Sequence, residues 1–319
     1  MGWRIDDIPD LGGRVAVVTG ANGGLGYETV RALARKGARV VMAVRSPAKG
    51  EASRARILAE APASSLEVVT LDVASLASVR DAATAILAAH PRIDILVNNA
   101  GVMGIPRRES VDGHELQLAT NHLGHFALTA LLLPALLRSD RGRVVAITST
   151  GRFLGRTVDP GDVAMRRSYD PWRAYGRAKL AACQMTVELD RRLVAAGATV
   201  RAMAADPGFS HTDLQARSAR EARGISQRFF DVTVGWFGSS PAQGALPQLR
   251  AATDPTARGG ALYALRFVVR GAPVRLPYMV WSLGDRDRAT LWTVSERETG
   301  VTFDVGAMAR DVTRGPEPG

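Results

Sequence analysis

Strand-like and helix-like patterns alternate from the start of the chain. Residues 14–19 form an apolar run rich in β-branched side chains, which predicts a buried strand. A glycine-rich stretch at 20–26 follows, and residues 27–36 have apolar positions at helical spacing that Gly37 ends. Residues 38–44 are predicted to be a second buried strand. The N-terminal region therefore predicts a strand–turn–helix–strand unit.

The same alternation continues along the chain. Further strands are predicted to end at residue 73 and to span 93–97, 143–147 and 199–205, with helices at about 48–61, 75–89, 112–137 and 175–196. This alternation predicts a parallel sheet with helices on both faces. We expect one α/β domain over residues 1–319, a Rossmann-like doubly wound sheet with its core at 11–215 and a lid and C-terminal extension at 216–319.

Three glycines lie in the turn between the first predicted strand and helix. Gly20 allows the tight turn, Gly24 lets the backbone approach a pyrophosphate, and Gly26 lets the helix pack close to the strand. The helix N-terminus offers free N–H groups and a positive dipole end to phosphates. A purely structural glycine turn is the alternative, but the strand–turn–helix setting favours dinucleotide binding.

The end of the second predicted strand carries Arg45 and no nearby acid. An acid there would bind a ribose 2′-hydroxyl and repel a 2′-phosphate, whereas a guanidinium suits the phosphate. This favours NADP(H) over NAD(H) as the cofactor. Two alternatives stay open: Arg45 is an ordinary surface arginine, or the protein is an NAD-dependent alcohol dehydrogenase working in the oxidative direction.

Tyr175 and Lys179 lie four residues apart on a predicted helix, so their side chains share one face. An ammonium near a phenol favours the phenolate and lowers the tyrosine pKa from its reference near ~10. Such a tyrosine exchanges protons with alcohols and carbonyls. The spacing alone is a weak signal. It gains weight because the only other lysines in this arginine-rich chain are Lys36 and Lys49.

Composition narrows the classes of protein. The 319 residues are 46% hydrophobic and 23% charged, which is ordinary for a soluble globular protein. The net charge of +10 is carried mostly by arginine, and no basic run is interleaved with aromatics, so we expect no nucleic-acid partner. The basic excess helps attract an anionic cofactor.

Neither a membrane span nor a secreted protein is expected. The most apolar stretch, 123–137, is interrupted by His125 and Pro134 and is too short to cross a bilayer. The first residues lack the apolar region of a signal peptide. The single cysteine, Cys183, allows no intrachain disulfide, which suits a cytoplasmic protein, and we interpret it as a buried small hydrophobe. We expect no metal site.

Several further motifs occur in one order over roughly residues 11–215. They are Thr19-Gly20 with Gly24-Leu25-Gly26, Asp72-Val73, Asn98-Asn99-Ala100-Gly101, Asn121, Ser149, Tyr175 to Lys179, and Pro207-Gly208 with Thr212. In this combination the sequence resembles the short-chain dehydrogenase/reductase family. Residues 121–126 and the long gap between Ser149 and Tyr175 resemble the branch that contains retinol dehydrogenases and protochlorophyllide reductases, and residues 291–301 resemble bacterial members.

The resemblance implies roles for four residues. Tyr175 would be the general acid for carbonyl reduction and the base for alcohol oxidation. Ser149 would donate a hydrogen bond to the substrate oxygen. Lys179 would hold the nicotinamide ribose and ease deprotonation of Tyr175. Asn121 would place a water in a proton relay to Lys179, with a polar residue that holds a helix kink as the alternative.

The resemblance also implies the cofactor contacts. They would be Gly20, Asn22, Gly23, Gly24, Leu25, Gly26, Arg45, Asp72, Val73, Asn99, Ala100, Gly101, Tyr175, Lys179, Pro207, Gly208 and Thr212. Two positions depart from the usual pattern. Gly23 stands where many NADP-dependent members carry a basic residue. Asp206 stands before Pro207-Gly208 where His or Asn is commoner, and an acid there could alter cofactor preference or local charge.

Together these features predict an NADP(H)-dependent oxidoreductase that interconverts a carbonyl and an alcohol on a bulky apolar small molecule. The substrate would meet the insertion 151–172 and the segment 213–247, which holds Phe229, Phe230, Trp236 and Phe237, although such aromatics more often pack a small core than contact a substrate. We interpret the arginines that rim the insertion as solvated surface, with recognition of an acidic substrate group as the alternative: Arg152, Arg156, Arg166, Arg167 and Arg173. A non-catalytic NAD(P)-binding regulator and a C=C double-bond reductase of the protochlorophyllide type are the alternatives. Whether the protein forms a homo-oligomer stays open.

Overall fold

The fold is an eight-stranded sheet flanked by helices, seen in a computed structural model that describes residues 2–208, 239–268, 270–278 and 284–314. The strands are β1 Val15–Thr19, β2 Arg39–Val44, β3 Ser65–Thr70, β4 Ile95–Asn98, β5 Arg143–Ile147, β6 Arg201–Asp206, β7 Leu262–Leu265 and β8 Pro273–Leu276. The helices are α1 Gly24–Arg35, α2 Pro47–Glu60, α3 Leu76–Ala89, α4 Leu116–Leu118, α5 Gly124–Leu137, α6 Pro171–Ala195, α7 Pro241–Thr253, α8 Asp285–Thr299 and α9 Val305–Arg314. Short 3₁₀ turns occupy Ile5–Asp7 and Thr150–Leu154, and a π turn occupies Ala119–Leu123.

The sheet order is β3-β2-β1-β4-β5-β6-β7-β8, and all neighbours are parallel except β7 and β8. In the register, Val17 of β1 stands beside both Val41 of β2 and Leu96 of β4. The strand order therefore reverses at β1, and open α/β sheets bind ligands beyond the carboxyl ends of strands at such a switch point. The predicted doubly wound parallel sheet is confirmed.

Both faces of the sheet are buried, as the continuous apolar strands predict. Successive side chains of a strand point to opposite faces. Val17 joins the cluster formed with α3, α5 and α6, whereas Ala16 and Val18 join the cluster formed with α1, α2 and α7. Two cores thus sandwich the sheet and fix the positions of its strand ends.

The C-terminal helices pack against α5 through aromatic rings. The ring centroid of Phe126 lies 5.1 Å from that of Trp292 and 5.3 Å from that of Phe303. His122 Nε2 also hydrogen-bonds with the Ser295 hydroxyl of α8 at 2.7 Å. Among the described residues, none of the helices combines the length and the apolar character needed to cross a membrane.

The structure differs from the predicted elements in two places. The helix predicted at 112–137 is instead α4, the π turn and α5 in succession. The apolar pattern gave no sign of this break because α5 is buried on nearly all sides. The strands β7 and β8 were not predicted. Residues 209–238, with Thr212 and the four aromatic side chains expected in the lid, lie outside the described residues.

Candidate active site

The glycine turn joins the end of β1 to α1 and has the close approaches expected of it. Gly20 and Gly24 adopt positive φ angles of 66° and 51°, which favour glycine. A Cβ on Gly26 would lie only 2.3 Å from the carbonyl oxygen of Gly20. In the described part of the chain, no side chain caps the N-terminus of α1 at Gly23. Free N–H groups at this helix end fit the phosphates of a dinucleotide.

The loop after β4 is tied to the same turn. The backbone N–H groups of Asn99 and Ala100 donate to Thr19 Oγ1 at 2.8 and 2.9 Å, and Asn99 Nδ2 donates to the Thr19 carbonyl at 2.8 Å. A Cβ on Gly101 would lie 3.6 Å from Lys179 Nζ. Residues 99–101 therefore join the glycine turn to the side of the site that holds Lys179.

The residues expected at the adenosine end lie on the same sheet edge. Arg45 follows β2 and is exposed, and Asp72 and Val73 follow β3. Asp72 Oδ1 accepts a hydrogen bond from the backbone N–H of Ala74 at 3.0 Å. Because β3, β2 and β1 are parallel neighbours, their carboxyl ends bring these residues beside the glycine turn.

Ser149 is placed at the end of β5 by a short turn. Its hydroxyl accepts a hydrogen bond from the backbone N–H of Gly151 at 3.1 Å. The Tyr175 ring adjoins the same glycine, because a Cβ on Gly151 would lie 2.7 Å from Tyr175 Cε1. Two glycines let this turn approach α6. A Cβ on Gly176 would lie 2.6 Å from the Gly151 carbonyl oxygen, and one on Gly155 would lie 2.4 Å from the Gly176 carbonyl carbon. The sequence motifs named neither Gly155 nor Gly176.

Tyr175 and Lys179 are both buried on α6. Lys179 Nζ lies 5.9 Å from the Tyr175 ring centroid and donates to the Ile147 carbonyl at 2.9 Å. Burial lowers the pKa of Lys179 to about 8. Burial raises the pKa of Tyr175 to about 12, against the opposing effect of the neighbouring Ser149 hydroxyl. The expected lowering of the Tyr175 pKa is therefore wrong for this structure, because desolvation outweighs the stabilisation of the phenolate.

Asn121 lies in the π turn that precedes α5. Its Oδ1 accepts from the Val102 backbone N–H at 3.0 Å, and its Nδ2 donates to the Val102 carbonyl at 2.8 Å. The side chain thus holds a break in the helix, as the alternative interpretation anticipated. A role of Asn121 in a proton relay stays a prediction.

A buried histidine on α5, His125, contacts the end of β1 at the glycine turn. His125 Nε2 lies 2.9 Å from Thr19 Oγ1. Burial lowers the pKa of His125 to about 3, so the imidazole is neutral at physiological pH. Sequence analysis did not assign this residue, because the partners lie far apart along the chain.

Arg152 departs from the expected solvated arginines. Its Nη1 forms a buried ion pair with Asp206 Oδ2 at 2.6 Å and donates to the Ser149 carbonyl at 2.9 Å. Asp206 Oδ1 in turn accepts from the Gly208 backbone N–H at 2.9 Å. The other four arginines of the insertion are exposed, as expected: Arg156, Arg166, Arg167 and Arg173. The partner of Arg152 lies on another strand, so local sequence gave no sign of the pair.

Of the remaining residues expected at the site, the structure describes all but one. Asn22 and Leu25 lie in the glycine turn, Pro207 and Gly208 follow β6, and Thr212 lies outside the described residues. Cys183 is fully buried, and burial raises its pKa to about 11. Within the described ranges, no group of three or more His, Cys, Asp or Glu side chains could hold a metal ion.

Comparison with known proteins defines the class. Residues 14–223 match the family described as short chain dehydrogenase, so the chain belongs to this family. The polyprenol dehydrogenase of Mus musculus is 42% identical over 262 residues, which cover 81% of this chain and 76% of the relative. Retinol dehydrogenase 11 of Mus musculus is 39% identical over 239 residues, which cover 75% and 73%.

Solved structures agree with this assignment. A crystal structure of an uncharacterised protein from Mycobacterium Paratuberculosis is similar, with a TM-score of 0.78, 39% identity, and coverage of 95% of this chain and 99% of the other. A Beutenbergia cavernae protein assigned as an NAD(P) dependent gluconate 5-dehydrogenase, solved with NADP at low occupancy, has a TM-score of 0.62, 27% identity, and coverage of 79% and 95%. The protein is an NAD(P)-dependent oxidoreductase of the retinol dehydrogenase-like branch that acts on a carbonyl or alcohol group.

Proposed function

We propose that this protein interconverts a carbonyl and an alcohol on a bulky apolar small molecule, with NADP(H) as cofactor and Tyr175 as the general acid and base. The observation that carries the proposal is that Ser149 and Tyr175 meet at Gly151 beside Lys179: a Cβ on Gly151 would lie 2.7 Å from Tyr175 Cε1 and 3.5 Å from Ser149 Oγ. All three lie at the sheet edge that also carries the glycine turn. A non-catalytic regulator has no need of this assembly.

The chain's own residues position the reactants and manage one proton. When bound, the nicotinamide supplies or accepts a hydride. Ser149 would hold the substrate oxygen, and Tyr175 would donate a proton to it during reduction and remove one during oxidation. The Lys179 ammonium would stabilise the phenolate and hold the cofactor ribose, and Asn121 would hold the relay water. Asn22, Gly23 and Thr212 are proposed to contact the phosphates or carboxamide.

The preference for NADP(H) rests on Arg45. This exposed side chain follows β2, the strand next to β1, where a ribose 2′-phosphate would lie. A planar guanidinium binds a phosphate through two parallel hydrogen bonds, whereas an acid would repel it. Arg45 has no neighbouring acid in the sequence.

The substrate class is supported by the relatives. Polyprenol and retinol, which name two of them, are long apolar alcohols built from isoprene units. An apolar alcohol or aldehyde gains affinity by burying hydrocarbon and needs few polar contacts besides those to its reacting oxygen. We therefore propose an isoprenoid-like alcohol and its aldehyde as the substrate pair. We also propose that the reaction takes place in the cytoplasm.

The test is turnover of NADPH and NADH with a panel of long apolar aldehydes, small polar aldehydes and an enone. We expect NADPH oxidation with long apolar aldehydes, and reduction of the carbonyl group of the enone. Arg45→Asp should lower the preference for NADPH by roughly ten- to a hundredfold in kcat/KM, because charged hydrogen bonds are lost. Arg39→Asp, at the other end of β2, is the matched control and should keep the preference.

Three results would contradict the proposal. Equal use of NADPH and NADH by the wild type would show that Arg45 does not select the cofactor. Reduction of only the C=C bond of the enone would indicate the other reaction class. Tight NADPH binding without oxidation by any carbonyl would indicate a regulator.

A further inference from the structure

The Arg152–Asp206 ion pair is a buried charged feature at the active edge to which the proposed chemistry gives no role. The exposed fraction is 6% for the Arg152 side chain and 3% for that of Asp206. Arg152 comes from the 3₁₀ turn after Ser149, and Asp206 is the last residue of β6. The pair therefore joins two neighbouring strand ends, each followed by a turn of the site.

The hydrogen bonds of the pair reach both turns. Arg152 Nη1 donates to the carbonyl of Ser149, the proposed holder of the substrate oxygen, at 2.9 Å. Asp206 Oδ1 accepts from the backbone N–H of Gly208 at 2.9 Å. Pro207 and Gly208, where the family resemblance implies contact with the cofactor, are named the nicotinamide loop. Separation of the pair would loosen the serine turn and the nicotinamide loop together.

The charges of the pair also act on the surrounding ionisable groups. Burial raises the pKa of Tyr175 and lowers that of Lys179, and the Asp206 carboxylate, which favours the protonated form of each, adds to the first shift and opposes the second. Burial also raises the pKa of Cys183 and of Tyr278, which lies after β8, and the Arg152 guanidinium opposes both rises. Among the described residues, these four groups and the pair itself face one another from α6, the 3₁₀ turn after Ser149, β6 and the end of β8.

We propose that Arg152 is a positioning residue that holds Asp206 as a neutral pair and thereby sets both the gap and the electric field between the serine turn and the nicotinamide loop. This inference rests on the proposed function in one respect only, the position of the nicotinamide ring. An unpaired carboxylate there would stabilise the positive ring of NADP⁺ over the neutral ring of NADPH. The pair keeps the site from holding the oxidised cofactor too tightly.

The two cofactor forms are a direct probe, because they differ in ring charge and share the rest of the molecule. We would measure dissociation constants of NADP⁺ and NADPH for the wild type, Arg152→Met, Asp206→Asn and the double variant. Arg152→Met should shift the ratio of the two dissociation constants about tenfold in favour of NADP⁺ binding. Asp206→Asn should shift this ratio in favour of NADPH binding, by the same Coulomb effect. The double variant should return close to the wild-type ratio, because both charges are gone.

The chain offers a matched control at the other end of β6. Arg201 forms an ion pair with Asp190 at 2.7 Å, far from the carboxyl edge, so Arg201→Met should leave the ratio unchanged. Arg152→Lys retains the charge and should keep most of the wild-type ratio. If Arg152→Met does not fold, the shift in Asp206→Asn and its reversal in the double variant still test the proposal.

The outcomes separate the pair from the proposed function. Equal ratios in variants that bind both cofactors would overturn the role of the pair and leave the proposed function standing. Shifts of the same sign in both single variants would indicate a loss of structure rather than of charge, and would also overturn it. A wild type that binds neither cofactor would overturn the proposed function and this inference together.

Discussion

At the scale of single residues, burial acts in opposite directions on the two ionisable groups of the site. It lowers the pKa of Lys179 to about 8 and raises that of Tyr175 to about 12, and both shifts favour the neutral form. The proposed reaction needs the ammonium and a phenol able to lose its proton. We infer that the bound cofactor and the substrate oxygen must supply polar partners that favour these forms.

The Lys179 shift predicts a pH-dependent stability. An unfolded lysine keeps its proton up to its ordinary pKa of 10.5, whereas the folded group loses it near 8. Between these values the unfolded state binds more protons, so the contribution of Lys179 to stability rises with pH. Lys179→Met should be more stable than the wild type at pH 7 by roughly 1–3 kcal/mol, with the difference shrinking toward pH 10. Urea unfolding at both pH values is the measurement, and a constant difference would contradict it.

Ser149 offers a second prediction at this scale. Ser149→Ala removes the hydroxyl that lies beside Tyr175 and that would hold the substrate oxygen, so kcat should fall by roughly 10²–10³. The dissociation constant of NADPH should stay the same. The neighbouring Thr150→Ala is the control. A Ser149→Ala enzyme with wild-type kcat on a true substrate would rule out the proposed role.

At the scale of elements, close backbone contacts set the geometry of the site. The turn that carries Ser149 meets α6 where Gly176 lies next to the carbonyl of Gly151. On the other side, the residues after β4 close on the end of β1 through Thr19. Each contact joins two elements whose own positions are fixed by the sheet.

Gly176→Ala tests the contact between α6 and the serine turn. The new methyl would lie 2.6 Å from the Gly151 carbonyl oxygen, so the turn must move. Because alanine favours helix over glycine, loss of helix is not expected. We expect kcat to fall by about 10²-fold, because a misplacement near 1 Å disturbs the alignment of the reacting groups, with little change in circular dichroism. Arg173→Ala, at an exposed position of the same helix, is the control and should keep the wild-type kcat. A wild-type kcat in Gly176→Ala would show that the contact has no role.

The elements also show what local sequence can and cannot specify. Most of the first six strands are short apolar runs followed by turn residues, so their existence and their succession along the chain were predicted, but not their order in the sheet. The break in the helix at Asn121 was anticipated only as an alternative, because it depends on a pairing with the Val102 backbone on another loop. The Arg152–Asp206 pair was missed for the same reason. Thr212 and the aromatic residues of the predicted lid stay predictions.

At the scale of the whole molecule, the C-terminal helices complete the core beside the active edge. Phe126 of α5, Trp292 of α8 and Phe303 form one aromatic cluster, and the Arg192 guanidinium covers the Trp292 ring at 4.1 Å. The strands β7 and β8 extend the same sheet. Neither the aromatic cluster nor these two strands was predicted. The segments that form them are short or polar, and their structure depends on the elements that they pack against.

Trp292→Ala tests this packing. Loss of a buried tryptophan leaves a cavity between α5 and α8, so the free energy of unfolding should fall by roughly 3–5 kcal/mol. Thermal or urea unfolding is the measurement, with the exposed Arg297→Ala on the same helix as the control. A change below about 1 kcal/mol would mean that the C-terminal helices do not share the main core.

The central claim is that Tyr175 carries the proton of a hydride-transfer reaction. The most direct measurement is single-turnover oxidation of bound NADPH by a carbonyl substrate of the wild type, in the wild type and in Tyr175→Phe. We expect the rate to fall by roughly 10²–10⁴ in Tyr175→Phe, with the NADPH dissociation constant unchanged. A Tyr175→Phe protein that oxidises NADPH at the wild-type rate would contradict it.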